Sequence, residues 1–251
     1  MDAVVTSFVA FGVIVSGAVA GLLLSRVLPE RYLSDQTKDV VRLGVGLIAT
    51  IAALALGLLI AAANGSFQTQ RGYIQRIAAD VILIDQLLAQ YGPEANSARE
   101  EIRRAIGPLV DRVWREDQWL AAYQRPLEPT YYGQFSATRI MQLAPQSDIQ
   151  RITKDRAINI IADLAQTRFL LFEHSGGSLP LPFLIVLVFW LSLIFASFGI
   201  FGSSNPVSIA ALVMCAAAAS GALFLVLDLN EPFTGLMHIP SESLRNALAP
   251  L

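Results

Sequence analysis

The sequence predicts an all-α integral membrane protein with four transmembrane helices and a helical soluble domain between the second and the third. Each of four uncharged apolar segments is 21 residues long, which in a helix is about 30 Å, the thickness of a bilayer's hydrocarbon core. They are Val4–Leu24, Leu43–Ala63, Leu181–Phe201 and Val207–Leu227. Composition agrees, because only 15% of the residues are charged, against about 25% in soluble domains. No stretch shows a convincing strand alternation.

The first apolar segment predicts a retained span. Ala18-Val19-Ala20 has the small-residue form of a signal-peptidase site, but no Lys or Arg precedes it, and the apolar run continues beyond it to spanning length. Its small residues recur every four positions, as at Gly17 and Gly21. Such spacing allows close helix contact in lipid, which makes this segment a candidate partner for the second span.

The second segment carries two distinct rows of side chains. One row is small, repeats every four residues, and consists of Ala49, Ala53, Gly57 and Ala61. The other is bulky, follows the 4-3-4 spacing of a packing seam, and consists of Leu47, Ile51, Leu54 and Leu58. Two surfaces predict a helix enclosed by protein on more than one side. The alternative is an ordinary lipid-facing span that is rich in alanine.

The stretch from 64 to 179 has the composition of a soluble helical domain. Asn64-Gly65 predicts a stop or bend at its start. Apolar residues then follow 3-4-3-4-3 spacing from Ile74 to Tyr91, which predicts an amphipathic helix that ends at Gly92-Pro93. Further helices are predicted at about 94–123, with a kink at Gly107-Pro108, at about 136–143 and at about 147–172.

The predicted organisation is therefore four segments. Residues 1–63 hold the first two spans, 64–179 form the soluble domain, 180–228 hold the last two spans, and 229–251 form a polar tail at the membrane interface. Small residues in the fourth span, such as Ala211, Cys215 and Ala219, again indicate close packing. Gly202 to Pro206 predicts a tight turn between the third and fourth spans.

Several functional classes are excluded by composition and motifs. A net charge of −2 with no basic cluster argues against nucleic acid as a partner. Cys215 is the only cysteine, and His174 and His238 lack metal-ligand spacing, so neither a metal nor a cofactor is predicted. No catalytic motif is present, so we do not expect an enzyme. The four apolar cores carry no ionisable residue, which argues against a proton relay.

The distribution of charged residues does not predict the orientation of the protein in the membrane. Four spans place both termini and the soluble domain on one side. Each side then carries four cations near the span ends, so the positive-inside rule gives a tie. One set is Arg26, Arg31, Lys38 and Arg42, and the other is Arg71, Arg76, Arg168 and Arg245.

Three segments, in this order, resemble the bacterial bestrophin-like proteins grouped as a domain of unknown function. They are VRLGVGLIATIAALALGLLIAAA from Val41, LIDQLLAQYGPEA from Leu83 and DLNEPFTG from Asp228. The resemblance implies a pentameric anion channel of the bacterial inner membrane, with the second span lining the pore and with the termini and central domain in the cytoplasm. This span lacks the aromatic neck residues of bestrophins, and Asp228 and Glu231 are isolated acids rather than a calcium clasp.

These observations lead to a channel hypothesis with two alternatives. The bulky row of the second span, with Thr50 as the mid-membrane hydroxyl, is the predicted pore lining, and Arg42 and Arg71 are the predicted pore mouths. Thr50 could instead bond its own helix, and both arginines could be interfacial anchors. The expected partners are the lipid bilayer, other copies of the chain and inorganic anions. The alternatives are a non-conducting scaffold or sensor whose helical domain binds a protein, and a stator-like proton channel, which the uncharged spans disfavour.

Overall fold

A computed structural model describes residues 3–29, 35–104, 132–175, 181–202, 205–233 and 235–240. Within these ranges every regular element is helical, as predicted. The helices are α1 (Ala3–Val27), α2 (Asp35–Tyr91), α3 (96–104), α4 (Tyr132–Met141), α5 (Asp148–Ser175), α6 (Leu181–Phe201) and α7 (Pro206–Leu229). A short 3₁₀ turn, Pro93–Ala95, precedes α3.

The chain divides into two compact units. We call Met1–Ser66 with Ser178–Glu231 the membrane unit, and Phe67–Gly177 with Pro232–Leu251 the helical unit. Helices α1, α2, α6 and α7 are each long and apolar enough to cross a membrane, which agrees with the four predicted spans. The protein is therefore a multi-pass helical membrane protein. The predicted kink at Gly107-Pro108 lies outside the described residues.

Within the membrane unit, α1 packs along α6 and α7. The contact with α6 is close because it is made at glycines: a Cβ added to Gly17 would lie 2.8 Å from the Ser192 carbonyl oxygen, and one added to Gly21 would overlap the backbone of Ala196. With α7, the buried Ser220 hydroxyl donates a 2.7 Å hydrogen bond to the Ser7 carbonyl. Gly17 and Gly21 of α1 thus face α6, and not α2, which was the partner expected from spacing alone.

Helix α2 continues without interruption from Asp35 to Tyr91, so the predicted stop or bend at Asn64-Gly65 is wrong. Both residues are exposed on the helix surface. A glycine inside a helix costs only about 1 kcal/mol relative to alanine. The buried apolar residues that follow, beginning at Ile74, stabilise the helix beyond this point.

The predicted end of α2 is confirmed at Tyr91. Gly92 has φ 124°, a conformation that L side chains rarely adopt, and Pro93 cannot continue the helix. The Gln150 side-chain amide from α5 donates a 2.9 Å hydrogen bond to the Tyr91 carbonyl, which satisfies one of the helix-end acceptors.

The core of the helical unit forms between α2, α3, α4 and α5. All six periodic residues of the predicted amphipathic helix are buried there: Ile74, Ile77, Val81, Ile84, Leu88 and Tyr91. Two apolar residues near the start of α5, Ile149 and Ile152, fall within the helix predicted at about 147–172 but are exposed rather than packed in this core. Phe233 and Ile239, in the tail that we expected at the membrane interface, lie in this core, where the Ile239 amide donates to the Pro232 carbonyl at 2.8 Å.

Asp85 on α2 is held by two arginines of α3. Arg99 makes a two-point contact, with its Nε 3.0 Å and its Nη2 2.8 Å from the two carboxylate oxygens, and Arg103 approaches to 3.2 Å. The Arg99 hydrogen bonds hold the pKa of the Asp85 carboxyl below its ordinary value, against the opposing effect of burial. This pair joins α3 to α2 with a fixed orientation, because a guanidinium and a carboxylate meet in one plane.

Replacing Asp85 with Asn should destabilise the helical unit by about 2 kcal/mol, because two arginines lose a largely buried counter-ion. Since the folded-state pKa is depressed, the stabilisation is present above pH 3.8 and is lost as pH falls below this value through the folded pKa. Thermal unfolding between pH 6 and pH 3 should therefore show a steeper loss for the wild type than for Asp85→Asn. Glu100→Gln, which breaks an exposed pair with Arg104, is the control and should change little.

Candidate functional site: the exposed face of α2

The predicted pore-lining row lies on one exposed face of α2. Leu47, Ile51, Leu54 and Leu58 are 65%, 45%, 67% and 64% exposed. On a helix with 3.6 residues per turn these positions fall within a sector of about 60°, so they form a single apolar strip. The opposite face is apolar as well, but it packs in the membrane unit through Val45, Ile48, Ala52, Leu56 and Leu59.

Helix α2 is the span that its own chain covers least. Only 6% of the most apolar 18-residue segment of α2 is buried, compared with 28% of the corresponding segment of α1 and 22% of those of α6 and α7. The other three spans pack together through α1, whereas α2 contributes one face to the unit and leaves the other open. On this measure α2 is the least covered of the four spans, and its open face is apolar.

Thr50 lies on the same face, and its hydroxyl donates a 2.9 Å hydrogen bond to the carbonyl of Gly46. Serine and threonine commonly bond in this way to the preceding turn of their own helix. The alternative interpretation from sequence is therefore found in the structure. The hydroxyl oxygen still presents its acceptor lone pairs on the exposed side of the helix.

The small residues of α2 flank the bulky strip. Ala53, Gly57 and Ala61 are exposed, and a Cβ added at Gly57 would meet no atom within 4 Å. Ala49 is half-buried and packs at the edge of the core. The close helix contact that this spacing predicts is therefore not made by the described part of the chain, and the surface remains available.

The two predicted mouth residues differ in their surroundings. Arg42 is exposed and lies 3.9 Å from the Asp39 carboxylate one turn earlier, a long and solvated ion pair. Arg71 is exposed at the start of the helical unit, and no carboxylate of the described residues lies within ion-pairing distance of it. Each guanidinium is accessible to ions in solution.

Charged side chains that the periodicity analysis missed lie in the helical unit. Burial, followed by repulsion from Asp163 on α5, raises the pKa of the Asp80 carboxyl, while Arg76 acts to lower it. The Asp85 cluster had a visible signal, since Arg99 and Arg103 are four residues apart on one helical face. No sequence pattern indicated the environment of Asp80, because its surroundings depend on how α5 packs against α2.

Among the residues that the structure describes, no side chains are grouped as a metal site. No group of three or more His, Cys, Asp or Glu side chains there is placed to hold a metal ion. Asp228, at the end of α7, is buried, and its neighbour Glu231 is half-buried. Cys215 is exposed on α7 and unpaired.

These features define a class: a four-span helical membrane protein whose second span is the least covered by its own chain and continues as a helix of the helical unit. The sequence matches the bestrophin-like domain over residues 12–244. The chain belongs to the bestrophin-like family. Among curated proteins, none matches the sequence significantly.

Solved structures of a bacterial bestrophin homologue from Klebsiella pneumoniae share the fold. One, determined by Zn-SAD phasing, superposes with a TM-score of 0.62 at 16% identity, covering 94% of this chain and 95% of that chain. Two variants of the same homologue give TM-scores of 0.62 and 0.61 at 16% and 15% identity, again covering 94% of this chain and 96% and 97% of those chains. The similarity extends over both units.

Proposed function

We propose that the protein is an oligomeric, anion-conducting channel in which the exposed face of α2 lines the pore. The observation that carries this proposal is that only 6% of the most apolar 18-residue segment of α2 is buried by its own chain. Membership of the bestrophin-like family supports it. A pore-lining helix must bury one face against its own subunit and leave the other open. Leu47, Ile51, Leu54 and Leu58 supply that open face.

The chemistry of this face fits a hydrophobic gate. Rings of leucine and isoleucine exclude water when the pore is narrow and admit it when the pore widens. The strip carries no charge, so anion preference has to come from helix dipoles and from arginines at the ends. Arg42 and Arg71 are the residues that we assign to the two mouths, where an exposed guanidinium raises the local concentration of anions.

The resemblance to the bestrophin-like family supports a proposal for the assembly and the orientation. We propose a pentamer in the bacterial inner membrane, with both termini and the helical unit in the cytoplasm. Five copies would place five α2 strips around one axis, and the small residues beside each strip would allow neighbouring helices to approach closely.

Purified protein in liposomes tests conduction directly. Chloride efflux that exceeds the efflux from empty liposomes, with little potassium flux, is the expected result. Vesicles that remain sealed to all monovalent ions would reject the channel. Mass measurement of the detergent-solubilised complex tests the assembly, and a monomer would remove the proposed pore.

Substitution of Gly57 by Leu should weaken the assembly without unfolding the subunit. The added side chain meets no atom of its own chain, but it would separate neighbouring α2 helices if the small row is their contact. Gly12→Leu is the matched control, because Gly12 is also an exposed span glycine with open space around it. An unchanged complex mass for Gly57→Leu would show that the small row is not the contact.

A protein-binding scaffold is the second candidate, and one observation favours it. Ile149 and Ile152 lie one turn apart near the start of α5 and are both exposed, although the rest of the α5 apolar face is packed. Exposed apolar pairs of this kind serve as helix-docking anchors. Crosslinking in native membranes would test the idea: recovery of a second protein at α5, abolished by Ile149→Ser with Ile152→Ser, supports it, and contacts only between copies of this chain speak against it.

A further inference from the structure

Helix α2 buries the same side in both of the units through which it runs. Ala52 in the membrane unit and Leu88 in the helical unit are both buried, and they are 36 residues apart, which is about ten helical turns. Ala63 and Val81 are also both buried and are 18 residues, or about five turns, apart. Residues separated by whole turns of an unbroken helix lie on one line along it. The open face of α2 therefore continues beyond the apolar strip.

Arg76 lies on this continuation of the open face. It follows Leu58, the last residue of the strip, by 18 residues, so the two share a line along the helix about five turns apart. The side chain of Arg76 is exposed. Four residues between them lie within about 40° of that line, and all are exposed and uncharged: Ala62, Gly65, Thr69 and Gly72. Arg76 is therefore the first charge on the open face after the strip.

The surroundings of Arg76 leave its positive charge available to ions in solution. Among the described residues, no carboxylate forms an ion pair with Arg76 within 4 Å. Asp80, one turn later, is its acidic neighbour, and the Oδ2 atom of that carboxyl group is buried. Arg71 lies five residues earlier, which is about 140° around the helix axis from Arg76. Of these two arginines, only Arg76 is in line with the strip.

We propose that Arg76 is a specificity-determining residue that selects inorganic anions at the end of the apolar strip. The inference rests on the proposed function, because the open face of α2 meets permeating ions only if it lines the pore. Symmetric copies of the chain place one Arg76 each around the axis, which forms a ring of positive charge. Such a ring concentrates anions and repels cations. The strip then controls whether water and ions pass, and Arg76 controls which ions reach it.

Reversal potentials of the full-length protein in planar bilayers, measured in a potassium chloride gradient near 0.1 M, test this assignment. Arg76→Gln should lower the permeability ratio of chloride to potassium by about fivefold or more. Arg76→Lys keeps the charge and should keep the ratio of the wild type. Arg104→Gln removes an exposed arginine of α3 and should also leave the ratio unchanged. The effect of Arg76→Gln should shrink at 1 M salt, where the Debye length falls from about 10 Å to about 3 Å.

The outcomes separate this inference from the proposed channel. A conducting protein with the same permeability ratio in the wild type and in Arg76→Gln would overturn the role of Arg76 and leave the channel intact. Bilayers that stay sealed with the wild type would overturn both. An equal fall in Arg76→Lys and Arg76→Gln would show a structural effect and contradict selection by charge. If Arg76→Gln does not fold, the wild type alone decides, because a chloride preference that is unchanged between 0.1 M and 1 M salt contradicts an exposed charged ring.

Discussion

Leu54→Ser should raise the chloride flux of the reconstituted protein by about tenfold or more, because a hydroxyl in the middle of the apolar strip removes the barrier to water. Leu54 is the most exposed of the four strip residues, so the substitution leaves the packing of the membrane unit intact. Stopped-flow chloride efflux from liposomes of equal protein content is the measurement. The melting temperature should stay within a few degrees of the wild type.

The control for this prediction is Leu225→Ser on α7. Leu225 is a leucine of similar chemistry, exposed on a different span and outside the proposed pore. If the two variants leave flux equally unchanged, then the open face of α2 contacts lipid and the pore lies elsewhere. A large rise for Leu54→Ser alone would identify the strip as the conducting surface.

Gly21→Val should prevent the membrane unit from folding. An added Cβ at Gly21 overlaps the backbone of Ala196, and a backbone cannot move aside as a flexible side chain can. Gly199 makes the reciprocal approach from α6, with its Cβ position overlapping the Ala18 carbonyl, so separating the helices would open the whole contact. We expect a loss of several kcal/mol, larger than a typical overpacked core, and little monodisperse protein in detergent.

Gly12→Val provides the comparison for that loss on the same helix. Its Cβ position has no atom within 4 Å, so this protein should be recovered at the wild-type level and elute at the same volume. Normal yield of Gly21→Val would mean that α1 and α6 are farther apart in the membrane than in the structure described here.

Local physics explains which parts of the fold could be predicted from sequence. The third span matches the helix Leu181–Phe201 at both ends, because an uncharged run of membrane length has no alternative but a helix in lipid. The amphipathic pattern from Ile74 to Tyr91 located a core face, since its period is fixed by 3.6 residues per turn. Pattern analysis was less reliable where packing decides, as at Ile149 and Ile152.

At the candidate site, too, part of the arrangement could be predicted from sequence and part depends on tertiary packing. Sequence spacing distinguished two rows on α2, the bulky strip Leu47 to Leu58 and the small row. It could not show which of the two packs against the core of its own subunit. The structure places only Ala49 of the small row at the edge of that core, because Val45, Ala52 and Leu59 fill the position.

The sequence by itself determined that this protein crosses the membrane four times on helices, that a helical domain follows the second crossing, and that it resembles the bestrophin-like family. Composition and periodicity suffice for these, because hydrophobic length and helical period are properties of a single segment. The tertiary structure decided that α1 packs on α6, that α2 runs unbroken through Asn64-Gly65, and that one face of α2 stays open. Those outcomes depend on contacts between segments distant in the chain, for which no local pattern carries the information.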